Sequence, residues 1–334
     1  MPRVPFQELH ETLTRVLLKQ GFTPERAVLC ARIFAESTRD GVYTHGLNRF
    51  PRFINNIKDG LVHVHESPER VGAFGVLERW HGRRGPGILN AYASMGRAIE
   101  IAREHGVGCV ALSQTNHWMR AGTYGWQAAE AGMIGLCWTN TMPNLPPWGS
   151  KVRKLGNNPL VIAVPRAGGH VVLDMAMSQF SYGTLAAYRK RRELLPVEGG
   201  FDNEGTLTRD PAAIEQSWRP LPIGYWKGSG LSMVLDLMAA LLSGGLATHQ
   251  ISPEAERETG ISQIFLALHP GGLAAAEELT RMADSVVESL RVGEEGAVRY
   301  PGEQTLRVRQ ENLKLGVPVE EDVWNEVLKL AATD

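Results

Sequence analysis

The sequence lacks a surplus of charge of either sign and lacks a long apolar run. Its 35 lysine and arginine residues face 36 aspartate and glutamate residues, so the formal net charge is −1. This balance provides no field that would recruit nucleic acid or an anionic membrane. The most apolar segment, residues 231–242, is short and contains Asp236, so it cannot span a bilayer. We therefore expect neither a nucleic-acid partner nor a membrane partner.

Cysteine is also scarce, and the three residues Cys30, Cys109 and Cys137 follow no metal-ligand spacing. An odd number of scattered cysteines is typical of a reducing compartment, and the first nine residues lack the apolar core of a signal peptide. His63 and His65 alternate, but no cysteine or carboxylate cluster accompanies them, so we expect no metal site. These absences predict a cytoplasmic globular protein.

What the sequence contains first is a series of helical patterns. A length of 334 residues corresponds to about two domains at roughly 150 residues each. Apolar residues at helical spacing predict a helix ending at Gly21, a second opening at Thr23-Pro24, and a third ending at Gly60. We expect residues 1–70 to form a helical domain, completed by a C-terminal helical segment, residues 305–334.

From about residue 90 the pattern changes to alternating helices and buried strands. Strands are predicted over residues 107–112, 133–138, 160–164, 170–173 and 263–268, and helices near residues 274–291 and 319–330. Residues 184–220 are polar and rich in turn formers, and we expect them to be irregular. The predicted fold class is α/β (α+β), with residues 71–304 forming a large mixed-sheet domain that binds cofactor and substrate.

Polar residues follow three of these strands where each one ends. Asn116 and His117 follow the first strand, Thr139 and Asn140 end the second, and Asp174 ends the fourth. Strands hold such residues rigidly, and functional sites gather where strands give way to loops. Turns also favour Asn and Asp for purely local reasons. Three coincidences that include a histidine favour a pocket at this place.

His45 lies four residues before Arg49 at a predicted helix start, a spacing that places both on one side of a helix. An imidazole can supply a proton to a carbonyl oxygen, and a guanidinium can bind a carboxylate through two parallel hydrogen bonds. A 2-keto acid reductase needs that pair of functions. Spacing alone equally fits a capping or exposed histidine beside a surface arginine.

Two glycine-rich segments bear on cofactor binding. Lys227-Gly-Ser-Gly230 precedes an apolar helix, where free amides and a lysine suit a phosphate, or where a flexible turn simply enters a buried helix. Gly106, Gly108 and Ala111 match a dinucleotide fingerprint superficially, but they follow a helix and open a strand, which reverses the required order. We expect no ordinary Rossmann unit.

Seven segments together resemble the malate/L-lactate dehydrogenase-like family, a non-Rossmann group of oxidoreductases. The similarity extends from about residue 5 to residue 330. Four segments with tryptophan are most similar to members that act on sugar acids, namely Asn116-His-Trp-Met-Arg120, Tyr124-Gly-Trp126, Pro146-Pro-Trp-Gly149 and Gly224-Tyr-Trp-Lys227. One departure is Asn157, where many members carry threonine. The seven segments, in family order, are Val42-Tyr-Thr-His-Gly-Leu-Asn-Arg-Phe50, Asn116-His117, Cys137-Trp-Thr-Asn140, Leu155-Gly-Asn-Asn-Pro159, Leu173-Asp-Met-Ala-Met-Ser178, Gly224-Tyr-Trp-Lys-Gly-Ser-Gly230 and Pro301-Gly-Glu303.

The resemblance implies a helical domain built from both chain ends, a mixed-sheet NAD(P)-binding domain and an intertwined homodimer. It implies NAD or NADP as cofactor, with NADH favoured, and His45 as the proton donor. Substrate-binding residues are expected to be Arg49, Asn116, His117, Arg120, Thr139 and Asn140. Cofactor-binding residues are expected to be His170, Val171, Val172, Leu173, Asp174, Met175, Ala176, Trp226, Lys227, Gly228, Gly302, Glu303 and Gln304.

The expected activity is hydride transfer to a small 2-keto acid, in particular a sugar acid. Three alternatives stay open on the sequence. One is a reductase of the same family that acts on a cyclic imine, ureidoglycolate or malate. Another is a metal-assisted lyase that uses His45, His117 and an acidic residue. The third is a sugar-acid binding protein without catalysis.

Overall fold

The protein, described here by a computed structural model over residues 1–290 and 298–332, combines helices with one large mixed sheet. The helices of the described part are α1 (Phe6–Lys19), α2 (Pro24–Arg39), α3 (Phe50–Lys58), α4 (Gly87–His105), α5 (Gly122–Glu130), α6 (Tyr182–Arg191), α7 (Pro211–Ser217), α8 (Trp226–Ser243), α9 (Ala276–Ser289), α10 (Glu303–Leu315) and α11 (Glu321–Ala332). The strands are β1 (Arg3–Val4), β2 (Glu69–Phe74), β3 (Leu77–His81), β4 (Val107–Thr115), β5 (Ile134–Thr139), β6 (Leu160–Val164), β7 (Val171–Met175), β8 (Gly200–Phe201), β9 (Leu207–Thr208), β10 (Ile261–Leu268) and β11 (Val317–Pro318).

The helices from both ends of the chain share one apolar core. Leu9 and Leu13 of α1 and Phe34 of α2 are buried in one cluster with Trp324 and Val327 of α11. The short strands β1 and β11 pair antiparallel and join the two ends directly. The apolar spacing of the first sixty residues predicted α1, α2 and α3 correctly, because burial of one helix face dictates that spacing. The division into two domains stays a prediction.

The central sheet has seven strands in the order β2-β3-β4-β10-β5-β6-β7. Only β3 and β4 run parallel, and every other neighbouring pair is antiparallel. This arrangement confirms a mixed-sheet α/β fold that is not a Rossmann fold, whose sheet would be parallel. Gly106, in the superficial fingerprint, adopts φ +82° as the end of α4 and leads straight into β4.

The register brings the polar strand ends together at one end of the sheet. Thr115 at the end of β4 pairs with Ile261, and Thr139 at the end of β5 pairs with Gln263. Both partners lie at the start of β10, which runs the opposite way. β7 ends at Met175, which pairs with Leu160 at the start of β6. The carboxyl ends of β4, β5 and β7 therefore surround one region.

The structure corrects two expectations and contains two strands that the sequence pattern did not predict. Residues 184–220 are not simply irregular, because α6, α7, β8 and β9 lie within or across this range. β2 and β3 were not predicted, since the side chains of β2 are all exposed and carry no apolar alternation. The helix α8 begins at Trp226, so Lys227 to Gly230 form its first turns rather than a loop before it. Residue 291, the expected end of α9, and residues 333–334 lie outside the described part.

Candidate active site

A cavity of about 930 Å³ opens at the end of the sheet where β4, β5 and β7 finish. Most ligand pockets in proteins have volumes of about 300–1,000 Å³, so this one lies near the upper end of that range. Its walls come from the turns before α3, the loop after β4, strand β7, the start of α6 and the start of α10. One cavity thus receives residues from both the helical part of the chain and the sheet.

Two histidines face each other inside this cavity. The ring centres of His45 and His117 lie 5.7 Å apart, and the rings are nearly parallel at 18°. The backbone N–H of Met119 donates to Nδ1 of His117 at 3.0 Å, so the proton of the neutral ring lies on Nε2. Burial lowers the pKa of His45 to about 4, and the charges of Arg49 and Arg120 add to that effect. Burial likewise lowers the pKa of His117 well below its ordinary value.

His45 is placed by a local turn rather than by a regular helix. Two consecutive 3-10 turns, Tyr43–His45 and Leu47–Arg49, precede α3 and are separated by Gly46. A Cβ at Gly46 would lie 2.3 Å from Oγ1 of Thr38, so the turn approaches α2 closely. The expectation that His45 and Arg49 share one helix face is therefore wrong, but both side chains line the same cavity.

Two arginines give the cavity a cationic wall. Arg49 and Arg52 both line it, and neither has an ion-pair partner within 4 Å among the residues that the structure describes. Burial lowers the pKa of Arg49 to about 10, and the charge of Arg52 contributes in the same direction. Nε of Arg52 is buried without a hydrogen-bond partner in the described chain. Nη2 of Arg52 donates to the Ala255 carbonyl, but no carboxylate of the described chain neutralises either guanidinium group, so both are suited to an anion.

Arg120 also lines the cavity, but its charge is already paired. Nη1 of Arg120 donates to Oδ2 of Asp40 at 2.6 Å, and this carboxylate also accepts hydrogen bonds from Arg39 and Arg309. Nε of Arg120 remains buried and without a partner in the described chain. The main contact of Arg120 is therefore structural.

Three of the polar residues expected to bind substrate are used within the protein. The side-chain amide of Asn116 donates to three backbone carbonyls and its oxygen accepts from Thr259. Asn140 donates to Asp236 and to the Leu246 carbonyl and accepts from the Ser262 N–H. Neither asparagine lines the cavity. Thr139 does, but its hydroxyl donates to backbone carbonyls.

The expected cofactor residues of β7 and α10 meet at another wall. The N–H of Val172 donates to the Pro301 carbonyl at 2.8 Å, which joins the strand to the start of the helix. Oδ2 of Asp174 accepts from the Gly122 N–H at 2.8 Å, and burial raises the pKa of this carboxyl. The expected cofactor residues that line the cavity are Val172, Leu173, Asp174, Ala176 and Gly302. Those that do not line it are His170, Val171, Met175, Glu303 and Gln304.

Trp226, Lys227 and Gly228 are not brought to this cavity. The N–H of Gly228 donates to the Ile223 carbonyl at 2.9 Å, so it is not free to bind a phosphate. A Cβ at Gly228 would lie 2.2 Å from that carbonyl oxygen. The close approach of the backbone in this turn therefore explains why the residue is glycine. Cofactor contacts by these three residues stay a prediction.

Sequence reasoning missed several cavity residues. Arg52 follows Arg49 by three positions, a helical spacing that was available as a signal. Asn157, noted above only as a departure from the family pattern, lines the cavity and accepts a hydrogen bond from the Thr141 hydroxyl at 3.1 Å. Glu258 comes from the irregular loop before β10, where no local pattern marks it. In the described part of the chain, no group of three or more His, Cys, Asp or Glu is arranged to hold a metal ion.

Known proteins are similar in sequence to this chain over nearly its whole length. The sequence profile of the malate/L-lactate dehydrogenase family matches residues 4–328. The chain belongs to this family. It is therefore an oxidoreductase, as the motif order indicated.

Two bacterial reductases are similar to this dehydrogenase along nearly its full length. The 2,3-diketo-L-gulonate reductase of Citrobacter koseri is 46% identical over 332 residues, which cover 98% of this chain and 100% of the relative. The enzyme of the same name from Escherichia coli is 45% identical with the same coverage.

Solved structures agree on the fold. Sulfolactate dehydrogenase from Methanocaldococcus jannaschii superposes with a TM-score of 0.91 at 27% identity, over 98% of this chain and 96% of the other. A Δ1-piperideine-2-carboxylate reductase from Pseudomonas syringae gives a TM-score of 0.88 at 27% identity, over 99% and 100%. None of the described helices of this dehydrogenase is both long enough and apolar enough to span a membrane.

Proposed function

We propose that the protein is an NAD(P)H-dependent reductase of a 2-keto acid, with a 2-keto sugar acid as its substrate. The observation that carries this proposal is the pairing of His45 and His117 beside the unpaired Arg49 and Arg52 in a single cavity. The names of the relatives at 45–46% identity support it, since they are 2,3-diketo-L-gulonate reductases.

In this proposal, Arg49 and Arg52 bind the carboxylate of the substrate and so fix the adjacent keto group. Two guanidinium forks are suited to planar anions and discriminate against neutral ketones. His45 transfers a proton to the carbonyl oxygen, and Nε2–H of His117 donates a hydrogen bond in the same region. The reduced nicotinamide supplies the hydride to the carbonyl carbon.

Substrate binding is expected to change the protonation of His45. Its pKa is lowered to about 4 by burial and by the charges of Arg49 and Arg120. A bound carboxylate cancels part of that positive charge, and this raises the pKa of the imidazole. His45 therefore binds a proton more readily when the substrate is present than when the cavity is empty.

The wall formed by β7 and α10 suits the cofactor. Gly302 precedes α10 with φ +95°, and its Cβ position would lie 3.1 Å from the Val172 nitrogen, so only glycine fits without strain. A helix of 13 residues starts here beside the cavity, and helix N-termini favour phosphate groups. Gly302, Val172 and Leu173 would hold the nucleotide, and Asp174 lies next to them for a ribose or amide donor.

The direct test is an assay of NADH and NADPH oxidation with 2,3-diketo-L-gulonate, pyruvate and oxaloacetate in parallel. We expect kcat/KM to be highest for 2,3-diketo-L-gulonate, because the cavity offers polar partners for its hydroxyl groups. Fluorescence titration with each nucleotide measures cofactor binding separately. A higher kcat/KM with pyruvate or oxaloacetate would support a reductase that acts on a different 2-keto acid. Activity without any nucleotide, lost on chelation, would favour the lyase.

Arg49→Lys is expected to raise KM for the keto acid by about tenfold or more, with nucleotide affinity unchanged. Lysine keeps the charge but loses the planar fork that binds both carboxylate oxygens. Steady-state kinetics with varied keto acid measure the effect. Lys58→Arg, at an exposed site at the end of α3, serves as the control for a basic exchange. An unaltered KM in Arg49→Lys would remove this residue from the carboxylate site.

We extend the proposal to a homodimer that uses the outer face of α8. Leu241 is 72% exposed and Leu237 is 51% exposed, in a helix whose residues after Lys227 include a single charge, Asp236. An apolar face of this kind is typical of a subunit interface. A second copy of the chain is the proposed occupant, and light scattering of the purified protein measures the molar mass.

A further inference from the structure

One carboxylate in the cavity has no place in the mechanism described above. Glu258 lies in the loop between a 3-10 turn, Ala255–Arg257, and the start of β10. Ala255, Glu258 and Ile261 of this segment all line the cavity. The loop is anchored, because Ile251 and Ile261 are buried against Met142 from the loop after β5. Its position therefore follows from packing on both sides.

The two oxygens of Glu258 have different surroundings. Oε1 accepts a hydrogen bond from the Met142 N–H at 3.0 Å, which orients the carboxylate. Oε2 has no hydrogen-bond partner in the chain as described, residues 1–290 and 298–332, and it is not among the buried unsatisfied atoms. One oxygen is thus fixed by the backbone, and the other is free to accept a hydrogen bond from a ligand.

No neighbouring arginine neutralises the charge of Glu258 through an ion pair in the described chain. The charges of Arg49 and Arg52 act on it, but no ion pair within 4 Å joins them in the described chain. Burial raises the pKa of Glu258, although the Met142 N–H and the two arginines act in the opposite direction. A hydroxyl group that donated to Oε2 would stabilise the charged form.

Acidic residues are rare among the described residues that line the cavity. They are Asp174 and Glu258 only. Asp174 lies on the β7 wall and accepts from the Gly122 N–H, so it belongs to the proposed cofactor side. Glu258 lies with Arg49 and Arg52 on the other side. It is therefore the single carboxylate available to the part of the substrate beyond its carboxylate group.

We propose that Glu258 is a specificity-determining residue, which selects hydroxylated 2-keto acids by accepting a hydrogen bond from a substrate hydroxyl group. The same charge repels a second carboxylate, so it disfavours dicarboxylates such as oxaloacetate. This inference rests on the proposed reductase function and specifies which substrates the site accepts. Without the charge of Glu258, a hydroxylated 2-keto acid loses a hydrogen bond to a charged group and binds more weakly. A dicarboxylate loses a repulsion and binds more tightly.

The experiment compares Glu258→Gln with wild type on 2,3-diketo-L-gulonate and oxaloacetate, with NADH and NADPH. Glutamine retains an oxygen for the Met142 N–H, so the loop is expected to keep its position. We expect kcat/KM for 2,3-diketo-L-gulonate to fall about 10- to 100-fold and that for oxaloacetate to rise. The affinity for the nucleotide is expected to stay unchanged. Thermal unfolding of both proteins verifies that the fold is retained.

Glu256→Gln is the matched control. Glu256 lies two residues away in the adjoining 3-10 turn, is exposed and also acts on Arg49 by its charge, but does not line the cavity. The ratio of kcat/KM values for the two substrates is expected to shift in Glu258→Gln and not in the control. An equal shift in both variants, or equal losses with both substrates, would overturn the proposal. A wild-type protein that reduces no 2-keto acid would instead overturn the reductase function on which it rests.

Discussion

Replacing His45 with alanine is expected to lower kcat for reduction by roughly 10²–10⁴-fold, about 3–5 kcal/mol of barrier. The proposed reaction needs a proton at the carbonyl oxygen as the hydride arrives, and His45 lines the cavity 5.7 Å from His117, measured between ring centres. Nucleotide affinity is expected to stay within about twofold of wild type, since β7 and α10 form the other wall. Steady-state kinetics and fluorescence titration separate the two effects.

A histidine elsewhere provides the control for this exchange. His105 lies exposed at the end of α4, so His105→Ala is expected to leave kcat unchanged. If His45→Ala retained more than half of the wild-type kcat, the assignment of His45 as proton donor would be wrong. His117→Ala then becomes the informative variant, because His117 lines the same cavity.

The pH dependence of kcat and kcat/KM also tests the assignment of His45 as the proton donor. The pKa of His45 in the free protein is lowered to about 4, so the ring is neutral at pH 7 before substrate binds. The pH profile of kcat/KM reports the free enzyme, and that of kcat reports the complex. We expect the falling limb of kcat for reduction to lie at higher pH than that of kcat/KM. A coincidence of the two limbs would show that substrate binding leaves His45 unchanged.

The position of the cavity could be predicted from the sequence, because polar residues follow three of the predicted strands at the points where they end. That argument placed Asn116-His117, Thr139-Asn140 and Asp174 together. The pairing of β10 with β4 and β5 brings the first two groups to one end of the sheet, and the pairing of β6 with β5 and β7 brings Asp174 there. Composition does not specify the direction in which an amide points. Asn116 and Asn140 therefore belong to the predicted region, but their side chains satisfy buried backbone groups instead of a ligand.

Other parts of the site depend on contacts between distant segments. Arg52 and Glu258 are 206 positions apart and line one cavity, because the loop before β10 packs near α3. No helix or strand periodicity relates residues so far apart in the sequence. The burial of their charged groups can be seen only once the chain is folded. The edge strand β2 was missed for a related reason: its exposed residues need no apolar alternation.

Replacing Asp40 with asparagine is expected to cost roughly 3–5 kcal/mol of folding stability. Asp40 is 4% exposed and accepts hydrogen bonds from Arg39 of α2, Arg120 after β4 and Arg309 of α10, at 2.6–2.9 Å. These three segments meet beside the cavity. Asparagine fills a similar volume but leaves three guanidinium groups without their shared charge. Urea unfolding at pH 7 measures the loss.

The pH dependence of this loss identifies its cause. Burial alone would raise the pKa of Asp40, but hydrogen bonding from Arg309 and the charges of Arg120 and Arg39 together lower it to about 2. A depressed pKa contributes stability above the ordinary value of 3.8, and that stability is lost as the pH falls through about 2. The difference between wild type and Asp40→Asn is therefore expected to shrink over this window. Asp59→Asn, at the exposed end of α3, is the matched control, since Asp59 ends its helix as Asp40 ends α2. An Asp40→Asn protein no less stable than Asp59→Asn would show that the three arginines are held by other contacts.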